Sequence, residues 1–173
     1  MSDGKFVSRA GEKLQFALDQ FKINAKDLTV ADFGSSTGGF VDCLLQDGAK
    51  KVYSIDTAYG ELAWTLRNNP KVVVMERTNA MHVKLPEKVE LITIDTAWTK
   101  QILTIPNALD NLKTDGQIIS LIKPHYEAPK NYLEKGRLKN DIVAVGGKVV
   151  NLIESPIVGE KGKNREFLAL VTK

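Results

Sequence analysis

The sequence predicts an α/β fold, with a mostly parallel sheet and helices on both faces, from three observations. Residues 28–56 read as a strand, a glycine-rich turn, a helix and a second strand, which is the order of a nucleotide-binding βαβ unit. Two apolar runs, at residues 71–75 and 90–94, have the composition of buried parallel strands. Residues 149–153 and 167–171 read as two strands around a loop with Pro and Gly, so an antiparallel pair should close the sheet.

The length of 173 residues suits one domain with a full core, so we expect a single domain over residues 1–173. No apolar run approaches the roughly 20 residues that span a bilayer, and the N-terminal residues lack the apolar segment of a secretory signal. The sequence therefore predicts a soluble, cytoplasmic protein without a membrane partner. Cys43, the only cysteine, falls on the apolar side of a predicted helix and should pack as a small hydrophobic residue.

Basic residues are concentrated towards the C-terminus, although the formal net charge is only +3. Residues 123–173 hold 10 of the 24 Lys and Arg residues but only 6 of the 21 Asp and Glu residues. Surplus lysines usually just solvate a surface, so this asymmetry hints at a polyanionic partner without establishing one.

The first predicted helix covers residues 8–21, where four apolar side chains recur at the spacing of one helix face: Leu14, Ala17, Leu18 and Phe21. Lys13 lies just off this stripe, so residues 1–22 form an N-terminal segment that carries Lys13. Most lysines at such positions are solvated, and pattern alone gives Lys13 no catalytic role.

Gly34, Gly38 and Gly39 shape the turn between the first strand and the second helix. Their spacing does not fit G-x-G-x-x-G, so adenosine attached to an amino acid suits this turn better than a dinucleotide does. Because glycine has no side chain, the backbone can approach a ligand that lies over residues 34–39. Asp56, which ends the second strand, is placed to accept hydrogen bonds from ribose hydroxyls.

Asp32 is a carboxylate at the end of an otherwise apolar strand, where burial is costly unless a partner is present. An ammonium or sulfonium group on the ligand would supply that partner, directly or through a water. The alternative is that Asp32 merely caps the following turn.

A short helix is expected within residues 57–70, stopped by two asparagines and Pro70. Its aromatic side chains, Tyr59 and Trp64, could line an adenosine pocket or belong to the core, and for Trp64 the core is the expectation. A further helix over residues 100–112 should break near Pro106.

Polar residues follow several strands at their carboxyl ends, the edge of an open α/β sheet that faces its ligand. Thr78 and Asn79 follow the strand at residues 71–75, Asp95 follows the strand at 90–94, and Lys123 follows a strand at 117–122. Lys123 is a candidate base, and the alternative is an exposed loop lysine.

Residues 130–145 should contain one short helix, which Gly146 and Gly147 end. His125 could be a base or a ligand. With His82 and His125 as the only histidines and a single cysteine, no metal-site spacing exists, and we predict no metal.

Several long segments, in order along the chain, match one known family. They are residues 8–14 (SRAGEKL), 32–40 (DFGSSTGGF) with 42–46 (DCLLQ), 58–60 (AYG) with 62–64 (LAW), 76–79 (ERTN), 123–128 (KPHYEA) and 164–168 (NREFL). On these motifs the chain resembles the FtsJ-like S-adenosylmethionine-dependent RNA ribose 2′-O-methyltransferases, and within them the TlyA branch, also called hemolysin A.

The resemblance implies a Rossmann-like class I methyltransferase fold with a seven-stranded sheet, S-adenosyl-L-methionine as cofactor, and RNA, in particular ribosomal RNA, as substrate. The family's Lys-Asp-Lys-Glu catalytic set falls on Lys13, Asp95, Lys123 and Glu166. The predicted cofactor contacts are then Asp32, Gly34, Ser35, Ser36, Thr37, Gly38, Gly39, Phe40, Asp56, Thr78, Asn79 and Asp95.

In the implied reaction, Lys123 accepts the proton of a ribose 2′-hydroxyl, which is a poor nucleophile while protonated. Lys13 close to Lys123 would favour the neutral amine, while Asp95 would mainly orient Lys123. Glu166 would steady Lys13 and the hydroxyl.

The chain departs from the family pattern in three places. Members of the branch usually carry an RNA-binding S4 domain of several dozen residues before the first motif, whereas only Met1–Lys5 precede Phe6 here. We therefore expect no S4 domain in this chain, as a stand-alone form or a fragment. Residues 96–98 (TAW) replace a Val-Ser-Phe-like run, and the stretch from 127 to 149 is shorter than usual. Both of these changes touch the expected substrate side.

Other functions follow if catalysis is absent or the target differs. The main alternative is a non-catalytic module that binds S-adenosylmethionine or RNA. Methylation of a small molecule or a protein is a weaker option, because the Lys-Asp-Lys-Glu order speaks against it. Membrane lysis has no support, since no spanning segment or strongly amphipathic basic helix is present.

Overall fold

The computed structural model describes residues 4–97, 99–127, 136–159 and 164–173. The helices in these ranges are α1 (Ala10–Phe21), α2 (Gly39–Gln46), α3 (Trp64–Arg67), α4 (Gln101–Asn111), α5 (Pro124–Glu127) and α6 (Arg137–Ala144). The strands are β1 (Thr29–Phe33), β2 (Lys51–Ile55), β3 (Val72–Met75), β4 (Val89–Ile94), β5 (Leu112–Ile122), β6 (Lys148–Glu154) and β7 (Phe167–Thr172).

All seven strands form one sheet in the order β3-β2-β1-β4-β5-β7-β6. Strands β1 to β5 are mutually parallel, whereas β7 runs antiparallel to both of its neighbours, β5 and β6. The predicted α/β fold and its antiparallel C-terminal pair are therefore confirmed. Strand β5 begins at Leu112, five residues before the predicted start at 117.

The sheet separates two hydrophobic clusters because successive strand residues point to opposite faces. In β1, Val30 packs with the buried side chains of α1 and α2, such as Leu14 and Leu44. Phe33 lies in the other cluster, with side chains of α4 and α6. Helices thus cover both faces, as predicted, and Cys43 is fully buried in the first cluster.

The order of the strands reverses between β1 and β4. After β1 the chain builds outwards through β2 and β3, and it then returns to place β4 on the other side of β1. In open α/β sheets, ligands bind at the carboxyl ends of the strands at such a switch point. Here that position lies between the turn after β1 and the segment after β4.

Two local predictions were wrong because of where the segments lie. Trp64 is 76% exposed and not part of the core. Helix α3 has a single turn whose Leu66 faces inwards, and residues two apart on a helix point in different directions. The strand predicted as buried at 71–75 is the edge strand β3, whose residues are only partly covered.

Helix α4 continues through Pro106, so the predicted break is absent. Proline removes only the hydrogen bond to the carbonyl four residues earlier, which here belongs to Ile102 in the partly exposed first turn. Helix α6 ends where expected, followed by Gly146 at φ +91°. The start of the helix predicted within 130–145, Trp98 and Gly162 lie outside the described residues.

Within the described ranges, none of the helices combines the length and the apolar character needed to cross a membrane.

Candidate active site

The glycine turn after β1 is folded tightly against two neighbouring strands. The N–H groups of Gly34 and Ser35 donate to the Ile55 carbonyl at 2.8 and 3.1 Å. Gly34 has φ +90°, and a Cβ atom there would lie 2.6 Å from the Asp95 carbonyl oxygen. Both the backbone conformation and the close approach of β4 therefore require glycine at this position.

Gly38 and Gly39 make room for other elements rather than for the turn alone. Gly38, at φ +101°, packs under the side chains of Leu62 and Leu66, so the segment before α3 covers this side of the turn. A side chain at Gly39 would collide with the Ser8 hydroxyl. The turn therefore packs between the start of α1 and α3. Its glycines expose backbone, without side chains, at the carboxyl edge of the sheet.

Asp56 ties the end of β2 to the same turn. Its Oδ2 accepts a hydrogen bond from the Ser36 N–H at 2.7 Å, and its Oδ1 accepts one from the Ala58 N–H at 2.8 Å. The Thr78 N–H in turn donates to the Asp56 carbonyl at 2.9 Å. Asp56, Thr78 and Asn79 line a cavity of about 270 Å³ beside the turn. A carboxylate held in this way keeps lone pairs for further donors such as hydroxyls.

Asp32 is fully buried on the α1/α2 side of β1. Its Oδ1 accepts a hydrogen bond from the Thr93 hydroxyl at 2.7 Å, whereas Oδ2 has no hydrogen-bond partner among the described residues. Burial raises the pKa of Asp32 to about 7, even though the bond from Thr93 lowers it. The N–H groups of Gly34, Ser35 and Ser36 donate to other acceptors, and the Ser35 hydroxyl donates to the main-chain carbonyl of Asp32 at 3.1 Å.

The four residues matched to the catalytic set form two ion pairs. Lys13 Nζ donates to Glu166 Oε2 at 2.6 Å, with both side chains nearly buried. Lys123 Nζ donates to Asp95 Oδ1 at 2.5 Å, with both side chains more than 80% covered, at 17% and 18% exposure. Both pairs line a cavity of about 500 Å³ that also contains Asp32.

The fold explains why residues so far apart in sequence meet here. Asp95 and Lys123 follow the adjacent parallel strands β4 and β5, and the Asp95 N–H donates to the Phe33 carbonyl at 2.9 Å. In the antiparallel pair of β5 and β7, Ile122 lies opposite Phe167. The residue after Ile122, Lys123, and the residue before Phe167, Glu166, therefore reach the same edge of the sheet.

Most of the predicted cofactor residues line one or both of these cavities, which share Gly34, Ser36, Asp95 and Ala97. Gly38 is the exception, because it contacts Leu62 and Leu66 instead. Phe40 reaches the larger cavity but is only 2% exposed. In the described residues, no group of three or more His, Cys, Asp or Glu side chains is placed to hold a metal ion.

Several residues near the site were not predicted as site residues, among them Thr93, Ser8, Arg9 and Tyr126. Thr93 bonds to Asp32 because the two are register partners in β1 and β4, which the sequence does not reveal without the strand order. Ser8 and Arg9 line the larger cavity next to Lys13. Both belong to the family motif at residues 8–14, which was the sequence signal available for them.

The arrangement suits a small ligand with a positive charge and a polar hydroxyl-bearing part. Buried Asp32 lines the larger cavity and its Oδ2 has no hydrogen-bond partner among the described residues, so a cationic group bound there could satisfy it. The carboxylate of Asp56 and the bare glycine backbone border the adjoining cavity. Lysine Nζ atoms with carboxylate partners, next to these features, can exchange protons with a hydroxyl.

Comparisons with known proteins agree on one family. The sequence model of the FtsJ-like methyltransferase family matches residues 6–171. The 16S/23S rRNA (cytidine-2′-O)-methyltransferase TlyA of Mycobacterium tuberculosis is 35% identical over 190 residues, covering 99% of this chain and 70% of that protein. YqxC of Bacillus subtilis is 37% identical over 182 residues, covering 95% of this chain and 64% of that protein.

A solved structure is also similar to this chain over nearly its whole length. A protein from Streptococcus thermophilus has a TM-score of 0.93 at 32% identity, covering 99% of this chain and 68% of that one. The chain thus spans 64–70% of the lengths of these three matches.

Proposed function

The chain belongs to the FtsJ-like methyltransferase family, and from that premise we propose that it transfers a methyl group from S-adenosylmethionine to a ribose 2′-hydroxyl of ribosomal RNA. The nucleoside we propose as target is cytidine, the one in the name of the Mycobacterium tuberculosis relative. The place of action would be the cytoplasm, where ribosomal RNA is found. The domain at residues 1–173 would carry the whole catalytic site.

One observation carries this function. Two lysine–carboxylate pairs, Lys13 with Glu166 and Lys123 with Asp95, line the same cavity as the glycine turn and the unpartnered oxygen of Asp32. A ligand site and groups able to handle a proton thus share one space. A module that only binds its ligand would have no need for groups that accept or donate a proton.

The residues fit S-adenosylmethionine at three places. Asp56 would bind the ribose hydroxyls, and Thr78 and Asn79 would border the adenine. Asp32 would face the positively charged end of the molecule, and the bare backbone of the glycine turn would lie between. When bound, S-adenosylmethionine supplies an electrophilic methyl group on a positively charged sulfur.

The chain's own residues would prepare the attacking hydroxyl. Lys123 Nζ would accept the proton of the 2′-hydroxyl, and Asp95, at 2.5 Å, holds that amine in place. Glu166 fixes the position of Lys13 at 2.6 Å. Lys13 lines the same cavity as Lys123, so its amine would also lie near the attacking hydroxyl.

The test is methyl transfer by purified protein from labelled S-adenosylmethionine to ribosomal subunits and to total RNA. We expect the label on ribose, where it protects the adjoining linkage from alkali. Lys123→Met should lower the rate by roughly 100-fold or more, the usual contribution of a general base. It should leave cofactor affinity, measured by calorimetry, unchanged.

Lys113→Met is the matched control, because Lys113 lies near the opposite end of β5 and pairs with the surface carboxylate of Glu90. This variant should methylate at the wild-type rate. Normal binding of S-adenosylmethionine without any labelled RNA would favour the non-catalytic module. Wild-type activity of Lys123→Met would remove Lys123 as the base.

A further inference from the structure

Helix α5 places two aromatic rings at the wall of the larger cavity, directly after Lys123. His125 and Tyr126 both line this cavity, and their ring centroids are 4.0 Å apart with planes tilted by 50°. His125 is exposed and Tyr126 is half-buried. The chemistry assigned above to Lys13, Asp95, Lys123 and Glu166 makes no use of either ring.

The backbone that carries the two rings is held in place before any ligand binds. The Tyr126 N–H donates to the Lys123 carbonyl at 2.9 Å, which closes the turn of α5 onto the segment that carries the lysine. The next residue, Glu127, is buried, and its carboxylate accepts the Gln101 N–H at the start of α4. The α5 backbone that carries the rings is therefore fixed relative to Lys123 at both of its ends.

A ribose that reacts at Lys123 brings its base into the same cavity. Proteins bind unpaired bases of RNA mainly by stacking them on aromatic side chains. Among the described residues that line this cavity, Phe40, His125 and Tyr126 carry aromatic rings, and Phe40 is only 2% exposed because it packs in the core. His125 and Tyr126 are therefore the described rings that a base could reach.

We propose that His125 and Tyr126 form a stacking subsite for the base of the nucleotide whose ribose is methylated. The inference rests on the proposed function and identifies how the RNA substrate is held at the same site. Every base offers an aromatic face, so this subsite positions the nucleotide without reading its identity.

The competing explanation is structural. The two rings could stack on each other only to support α5 and thereby Lys123. In that case, removing a ring would shift Lys123 from its position. The kcat of methyl transfer would then fall, while the KM for RNA would stay constant. A stacking subsite predicts the reverse, since its contacts are made with the RNA itself.

The experiment measures methyl transfer to ribosomal RNA by His125→Ala and Tyr126→Ala at saturating S-adenosylmethionine. Each variant should lose roughly 5- to 150-fold in kcat/KM, the range expected for one stacked base, mainly through a higher KM for RNA. Cofactor affinity by calorimetry should be unchanged. Tyr126→Phe keeps the ring and should recover most of what Tyr126→Ala loses.

Trp64→Ala is the matched control, because Trp64 is an exposed aromatic residue on the other one-turn helix, α3, and does not line either cavity. It should behave as the wild type. The subsite is wrong if the alanine variants keep the wild-type KM for RNA, or if they lose cofactor affinity to the same extent. If the wild type itself transfers no methyl group to RNA, the proposed function fails first, and the subsite fails with it.

Discussion

Asp32 combines complete burial with a carboxylate oxygen that has no hydrogen-bond partner among the described residues. Its pKa is raised from 3.8 to about 7, chiefly by burial. The folded protein therefore keeps a proton on Asp32 between about pH 4 and pH 7, where the unfolded chain releases it. The stabilising effect of this proton is complete below pH 4 and disappears as the pH rises through 7.

Replacing Asp32 by Asn should stabilise the protein at neutral and alkaline pH. The side-chain carbonyl of Asn can still accept the Thr93 hydrogen bond, and its amide carries no charge that burial would penalise. Relative to the wild type, the free energy of unfolding should grow by roughly 1.4 kcal/mol per pH unit between about pH 4 and 7, then stay constant. Urea denaturation at a series of pH values measures this difference.

The same substitution should weaken binding of S-adenosylmethionine, because it removes the negative charge that we propose for the cationic end of the cofactor. In the wild type, affinity should rise with pH through about 7, as Asp32 ionises. In Asp32→Asn, calorimetry should find affinity that no longer changes there. Thr93→Val removes a hydrogen bond that lowers the pKa of Asp32, so it should move the wild-type transition to higher pH. An unshifted transition would assign the ionisation to another group.

Gly34 is a second position where a single added atom, the Cβ of alanine, should change the stability of the protein. Gly34→Ala would combine φ +90° with a Cβ 2.6 Å from the Asp95 carbonyl oxygen, and backbone cannot move aside as a side chain can. Gly60→Ala is its control, because Gly60 has φ +78° but nothing within 4 Å of the added Cβ. Gly60→Ala should cost about 1–2 kcal/mol of unfolding free energy for the backbone conformation alone.

Gly34→Ala should cost clearly more than Gly60→Ala and should also displace Asp95 from Lys123. Thermal unfolding and methyl transfer measure these two effects. Equal stability of the two variants would mean that the contact between the turn and β4 is not restrictive.

At the scale of elements, a buried polar network joins α4, α5 and β5. Both carboxylate oxygens of Glu127 accept the Gln101 N–H, at 3.1 and 3.2 Å. The Gln101 side-chain amide donates to the Leu121 carbonyl at 3.4 Å, and its oxygen accepts the Ser120 hydroxyl at 2.5 Å. Burial raises the pKa of Glu127, while the bond from Gln101 lowers it. The network connects the segment after Asp95 to the segment after Lys123.

Glu127→Ala should therefore reduce both stability and kcat, since it leaves a helix N-terminus without its acceptor. The expected loss of unfolding free energy is about 1–3 kcal/mol. Glu127→Gln should restore most of both, because its amide oxygen accepts the same N–H. Denaturation and single-turnover methylation measure the two effects. Glu154→Ala, which removes an exposed partner of Arg165, should change stability by no more than about 1 kcal/mol. Failure of glutamine to restore kcat would show that the negative charge itself is needed.

The elements themselves followed from the sequence where periodicity and turn residues agree. Helix α1, the βαβ unit and the final strand pair were predicted within a few residues. The predictions that were wrong depend on the tertiary surroundings of a segment. Trp64 was expected in the core but lies on the outer side of a one-turn helix, and the strand at 71–75 was expected to be buried but lies at an edge of the sheet. Neither the strand order nor the facing residues can be read from a local pattern.

The same limit applies to the candidate site. Asp32, Asp56 and the glycine turn were found from the chemistry of residues at strand ends. Lys13 and Glu166, by contrast, were assigned through family motifs alone, because nothing near them in sequence indicates a meeting 153 residues apart. Only the register of β5 with β7 and the packing of α1 bring them together.

At the scale of the whole molecule, charge should govern RNA binding. Affinity for ribosomal RNA should fall steeply with salt, as protein cations displace counterions from phosphates. If the basic C-terminal third contacts RNA, removing Arg137 or Lys139 should each lower the slope of log affinity against log salt by about 0.7–0.9. Lys50→Ala and Lys84→Ala, from the less basic part of the chain, should leave the slope unchanged. Filter binding at several salt concentrations measures this slope. If all four variants had the same slope, the basic C-terminal third would not be the RNA-binding surface.

Strand β7 enters the sheet between β5 and β6, and Glu166 stands at its beginning. During synthesis, β6 emerges first but has no place to dock until β7 inserts beside β5. A nascent polypeptide would therefore lack the carboxylate that holds Lys13 until residues 167–172 have left the exit tunnel. Under the proposed function, the ribosome that makes this protein could not be methylated by it before that segment has left the tunnel.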